Sequence, residues 1–185
     1  MRLLDLDENQ LTPAQARVLK SIQDGPRGKL GLIGPFRAMV SAPEIGEPIQ
    51  ALGAAVRFNV SLKKNIQEVV ICTVGAYFRS KFEFSAHQHM AIRAGVNADC
   101  LDQLRRGEVP KFYGEEKLAY ELTTALLTRH RLTDNEYAAG RECFSETGMI
   151  ELVATIGYYS MISLTLNTFE IPLEPGMTDP FPEDT

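Results

Sequence analysis

Apolar residues recur along this chain every three to four positions, in runs bounded by capping residues, which is the signature of successive helix faces. The first run opens at Thr12-Pro13-Ala14-Gln15, a capping threonine before a first-turn proline with glutamine three residues on. It turns Ala14, Val18, Leu19 and Ile22 to one side until Gly25 stops it. Residues 25–36, GPRGKLGLIGPF, hold four glycines and two prolines and predict an irregular, unusually apolar loop that crosses the surface or lines a mouth. Ser41, followed by Pro43 and Glu44, opens a second helix to about Phe58, and Ser61 is placed to cap a third.

That third segment, SLKKNIQEVVICTVGAYF, contains VVICTV, which by composition is as good a buried strand as a helix. Its spacing favours the helix. Leu62, Ile66, Val69, Thr73, Val74 and Tyr77 recur at three and four residues, while Glu68, Cys72, Gly75 and Ala76 form a second, small-residue face that a neighbouring helix can approach closely. A fourth helix over residues 81–94 ends at Gly95, and Asn97 caps a short one that stops at Gly107. Residues 115–130 carry Leu118, Leu122, Ala125 and Leu126 on one stripe, and Thr133-Asp134-Asn135-Glu136 is a capping box for a helix to Gly148. Met149 begins a last helix to about Thr168. The tail, residues 171–185, has four prolines and four acids and predicts an extended, partly mobile segment. With no hairpin signals and no repeats, the pattern predicts an all-α, single-domain helical bundle over residues 1–185, its core spanning about 15–172.

Composition narrows the function classes. Nineteen basic against twenty-four acidic residues leave a formal net charge of -5, so no basic footprint for a phosphate backbone exists and nucleic acid is not an expected partner. The opening MRLLDLDENQ is acidic where a secretory leader needs a positive flank. The longest nearly continuous apolar stretch, residues 69–78, is about half of what a membrane span requires, so a soluble, cytoplasmic protein with no membrane partner is expected. Cys72, Cys100 and Cys143 have no chelating spacing and read as small hydrophobes.

The chemistry concentrates in the fourth helix, KFEFSAHQHMAIRAG. Glu83, His87, Met90, Ala91 and Ala94 stand at helical spacing on one stripe, so a carboxylate and an imidazole four residues apart point inward with apolar residues. Such a pair can hydrogen-bond, and burial beside a charge partner tunes a histidine for proton transfer. The same spacing also suits a core histidine held by a structural glutamate. His89 falls on another face, and one carboxylate with one histidine does not make a metal site; no metal and no cofactor are expected.

Glu68 precedes His87 by nineteen residues, and the segment ends in Ala91 and Ala94-Gly95. This arrangement resembles the core of the alkylhydroperoxidase D and carboxymuconolactone decarboxylase superfamily, whose peroxidase branch reads Glu-x11-Cys-x2-Cys-x3-His. Here the two cysteine positions fall at Ser80 and Glu83. Without a nucleophilic and a resolving thiol, disulfide-based peroxide reduction by that route cannot operate, so the chain is similar to the cysteine-free, decarboxylase-like branch. Residues 34–58, GPFRAMVSAPEIGEPIQALGAAVRF, and 151–167, ELVATIGYYSMISLTLN, are similar to flanking helices of that branch.

The resemblance implies a homo-oligomer of all-helical subunits (dimer, trimer or hexamer) acting on a small carboxylated molecule, a lactone or keto acid. In that reading His87 donates a proton, Glu68 orients and charges it, and Glu83 is a second acid or base. Phe36, Met39, Tyr158 and Tyr159 are candidates for the pocket wall, and Arg37, beside the apolar 34–36 turn, for holding a substrate carboxylate. Two other function classes stay open: a peroxide-stress redox protein using Cys72 or another lone thiol, and a non-catalytic oligomeric binding protein with a vestigial site.

Overall fold

The computed structural model describes residues 1–182. After a short 3-10 turn, Glu8–Gln10, come eight helices: α1 (Pro13–Asp24), α2 (Pro35–Ser41), α3 (Pro43–Phe58), α4 (Lys64–Tyr77), α5 (Lys81–Arg93), α6 (Ala98–Arg105), α7 (Gly114–Arg129) and α8 (Asp134–Thr168). Among the described residues there is no strand, so VVICTV is helical. Both capping boxes close, with Thr12 and Thr133 each accepting from the backbone of the residue three on while Gln15 and Glu136 reach back.

The central helix is α4, packed against α5, α7 and α8. Residues 66–75 are all buried, which is why this segment had no polar face from which a helix could be told from a strand. Its contact with α5 is close because of Gly75: a Cβ there would meet the Phe84 backbone nitrogen at 3.3 Å and its Cα at 3.4 Å. Any larger side chain at 75 would push α5, and the residues it carries, away from α4.

Three expectations about helix bounds are corrected. Residues 35–41 are a helix, because Pro35 at its first position has a preset φ and Gly34, at φ 51, turns the chain into it. Ser61 caps nothing: α4 starts after Lys63, and the Ser61 amide and hydroxyl both donate to Glu151 Oε2, at 2.8 and 2.7 Å, pinning this turn to α8. The break between the last two predicted helices lies at Ser145 (φ 67, ψ 173), not at Gly148; Ser145 Oγ accepts from the Gly148 amide and so caps the helix that resumes.

The tail is extended as expected but docked rather than mobile. Lys81 Nζ bonds Asp179 Oδ2 at 2.7 Å, Arg105 donates to the Pro180 carbonyl, and Phe181 is fully buried, its ring centroid 5.4 Å from that of Phe84. Residues 183–185 of the predicted tail lie outside the described residues.

By length and hydropathy α8 is the one helix among the described residues that matches a membrane span, although polar residues interrupt its apolar run. Half of that apolar window is buried within the fold, and the helix is broken at Ser145, as suits a core helix.

Candidate active site

α4 and α5 bring Glu68 and His87 together. His87 Nδ1 lies 2.8 Å from Glu68 Oε2, and His87 Nε2 lies 3.0 Å from Glu83 Oε1 one turn back on α5. The far oxygen of Glu68 is held by Arg57, at the end of α3, with Nη1 to Oε1 at 2.5 Å. Arg57 Nη2 also contacts the Met90 sulfur at 2.8 Å. The result is a row of alternating charge, Arg57, Glu68, His87, Glu83. Glu68 is 2% and Glu83 3% exposed, so water does little to weaken the attraction between its members. Arg57 was not anticipated; it stands eleven residues before Glu68, across a turn that only the folded chain closes.

The electrostatic consequence falls on His87. Burial alone would push the imidazole down, but the Glu83 charge and hydrogen bonds to Glu68 and Glu83 outweigh it and raise the pKa to about 9. At neutral pH His87 is therefore an imidazolium with both N–H groups donated to carboxylates. Burial opposes ionisation of Glu68, yet the bonds and charges of His87 and Arg57 hold its carboxyl below the usual range.

One side of the row faces a cavity of about 490 Å³. Glu83, His87 and Arg57 line it together with Phe36, Tyr158 and Tyr159, and the tail contributes Met177. The Tyr159 ring stands edge-on to His87 at 5.1 Å between centroids, and Tyr158 stands edge-on to Tyr159 at 5.2 Å. Burial keeps both hydroxyls protonated: it pushes Tyr158 up to about 12 and Tyr159 well above its ordinary value.

Six of the eight sequence candidates thus meet at the cavity: His87, Glu68 behind it, Glu83, Phe36, Tyr158 and Tyr159. Two do not. Arg37 turns to the N-terminal segment and bonds Asp5 at 3.1 Å, and Met39 is buried in the core against the backbone of α3 at Gly46. The reason is the helix at residues 35–41: neighbouring positions on a helix point about 100° apart, so Phe36 facing the cavity turns Arg37 away from it. The cation that does line the cavity from this side is Arg27, in the loop before α2.

No group of three or more His, Cys, Asp or Glu side chains among the described residues is arranged to hold a metal ion, and both His87 nitrogens are already engaged. Cys72 is buried on α4, and burial next to the Glu68 and Glu83 charges pushes its thiol well above its ordinary pKa. That is the reverse of the electropositive setting that activates a thiolate.

No family model matches the chain, and no curated protein matches it. Among solved structures it is similar to the debrominase Bmp8 in its apo form, with a TM-score of 0.69 and 16% identity over 92% of this chain and 90% of that one. At that identity the likeness is one of fold. The all-helical arrangement is shared across nearly the whole of both chains, and the chemistry has to be argued from the side chains present here.

Proposed function

We propose that this chain is an acid–base enzyme of the carboxymuconolactone decarboxylase type, in which the His87 imidazolium protonates a small carboxylated substrate, a lactone or keto acid, held in the cavity. The observation that carries the proposal is the doubly ion-paired His87 on a cavity wall. A histidine needed only for packing has no use for two buried carboxylates and an arginine behind one of them. The similar fold of a protein named as a debrominase supports reading the chain as an enzyme, without bearing on its reaction.

In a decarboxylation the bond between the substrate carbon and its carboxylate breaks, the electron pair stays on carbon, and carbon dioxide leaves. The carbon then takes a proton from His87. Nε2 is the donor suited to this, since Nδ1 is tied to Glu68 and Glu68 is clamped by Arg57. Glu83 orients the Nε2 proton before substrate arrives and, after transfer, lies in position to return one from solvent. Tyr159, edge-on to His87, offers a neutral hydroxyl donor to an oxyanion along the same wall.

The redox alternative has little support in this arrangement. Cys72 is buried and hard to ionise, and it does not line the cavity. The vestigial-site alternative is weakened because a cavity does reach His87.

Assembly and location belong to the same proposal. On α8, Ile150, Val153 and Leu164 are each more than half exposed, a stripe suited to a second copy of the chain. A cytoplasmic homo-oligomer is the proposed state, and light scattering that returned the 20.6 kDa monomer at micromolar concentration would contradict it.

The test is a screen of lactones and keto acids for carbon dioxide release, with wild type and His87→Gln side by side. Turnover that is lost in His87→Gln and kept in Cys72→Ser is expected. The opposite pattern would transfer the site to the thiol.

A further inference from the structure

The His87 end of the cavity has its charges matched; the other end does not. Arg27 is half-buried in the loop before α2. Its guanidinium carbon stands 5.4 Å from the centroid of the Phe36 ring, and Nη1 donates to the Gln50 carbonyl at 3.2 Å and contacts the Gln50 side-chain oxygen at 3.5 Å. Glu47 joins this network only through the Gln50 amide, and among the described residues no carboxylate lies within ion-pairing distance of Arg27. Nη2 lies beside the Tyr158 hydroxyl, both occupying the space that a Cβ at Gly53 would fill. Glycine at 53 therefore lets the arginine and the tyrosine converge on one edge of the chamber.

We propose that Arg27 and the Tyr158 hydroxyl form an anion subsite that anchors the carboxylate of a flat, apolar substrate at the end of the cavity remote from His87. A guanidinium that no carboxylate neutralises, held against the Gln50 carbonyl and the Tyr158 hydroxyl, presents a positive charge and an O–H group together, which suits the two oxygens of a carboxylate. Phe36, Leu30, Ile33 and Met177 supply an apolar berth for a ring between the two ends. His87 and Tyr158 both stand edge-on against Tyr159, at 5.1 and 5.2 Å between centroids, so that ring touches both groups and their separation is at most the sum of the two steps. A substrate anchored at Arg27 and protonated at His87 thus carries its anchoring carboxylate several bonds from the reacting carbon, on an aromatic or alicyclic body. The assignment of the reacting end rests on the acid–base proposal above; the anion subsite itself does not.

Equilibrium binding of 3-phenylpropanoate and its neutral isostere 3-phenylpropanamide, measured by calorimetry, tests the subsite without requiring turnover. Wild type is expected to prefer the carboxylate roughly tenfold to a hundredfold, the range of a charge-assisted hydrogen bond. Arg27→Gln should erase the preference, Arg27→Lys should restore part of it, and Tyr158→Phe should weaken it several-fold. Arg37→Gln, which removes a cation turned away from the cavity, should leave it in place. The melting temperature of each variant identifies any that fails to fold, in which case Arg27→Lys and Tyr158→Phe carry the comparison. Equal binding of acid and amide, no binding of either at millimolar concentration, or a preference lost in His87→Gln but kept in Arg27→Gln would each overturn the subsite. A preference that follows Arg27 in a protein showing no acid–base turnover would uphold the subsite and count against the enzyme proposal alone.

Discussion

Two clusters of four charged residues stand in this molecule at similar distances and with opposite consequences. At the end of α6, Asp102, Arg105, Arg106 and Glu108 pair at 2.7 to 2.9 Å, with one Arg106 to Asp102 contact closer still. In the site, Arg57, Glu68, His87 and Glu83 pair at 2.5 to 3.0 Å. The α6 side chains are 29 to 52% exposed, so water screens the pairs and competes for every hydrogen bond. Those of the site are 2 to 18% exposed, and each charge there depends on its neighbours for solvation. Pair geometry alone thus says little about function; burial decides how far each charge depends on its partners rather than on water.

The comparison can be broken most sharply at His87. Replacing it with glutamine keeps size and one hydrogen bond, and turnover of any substrate found should fall by roughly 10²- to 10⁴-fold, measured as kcat/KM, with the fold retained. Full activity in that variant would reduce the buried cluster to a structural one.

Removing Glu68 tests the same cluster through stability. Glu68→Ala leaves Arg57 and His87 without their shared partner and should cost about 3 to 5 kcal/mol in urea denaturation. A loss below roughly 1 kcal/mol would mean that the buried row behaves like the surface one.

Titration sharpens the contrast without mutation. Because His87 is raised from 6.5 to about 9 in the folded protein, its contribution is complete below pH 6.5 and is lost as pH rises through 9. The unfolding free energy from urea denaturation should therefore fall between about pH 7 and 10, by an amount on the order of 3 kcal/mol. His87→Gln should flatten that slope, and any proton-donating step should slow over the same window. On the acid side, Glu68 has a lowered pKa, so its contribution is present above its ordinary range and is lost as pH falls through the folded value.

The smallest effects are expected outside the row. Arg106→Gln should leave the melting temperature unchanged within error, since both partners face water. Cys72→Ser should keep activity within a few-fold, because that thiol is protonated and off the cavity. Abolished activity in Cys72→Ser would revive the redox reading.

Most helices could be read directly along the chain, because caps and i, i+4 stripes are local: Thr12 with Gln15, Asn97 with Asp99, Thr133 with Glu136. The inward stripe of Glu83 and His87 was legible for the same reason, and Glu68 through the resemblance at a fixed separation. Arg57 and Arg27 were not, since one is a polar residue at the end of a predicted helix and the other lies in a loop, and each gains meaning only from what α3 and the loop are folded against. Arg37 misled because Gly34-Pro35 reads as loop and starts a helix that turns it outward. Local backbone preference and the hydrophobic period thus determined an all-helical chain and the inward direction of a histidine and its carboxylate. Which charges surround that histidine, how far its pKa moves, and which arginine lines the cavity without a carboxylate partner were decided by tertiary packing, because electrostatics and desolvation depend on distance through space rather than separation along the chain.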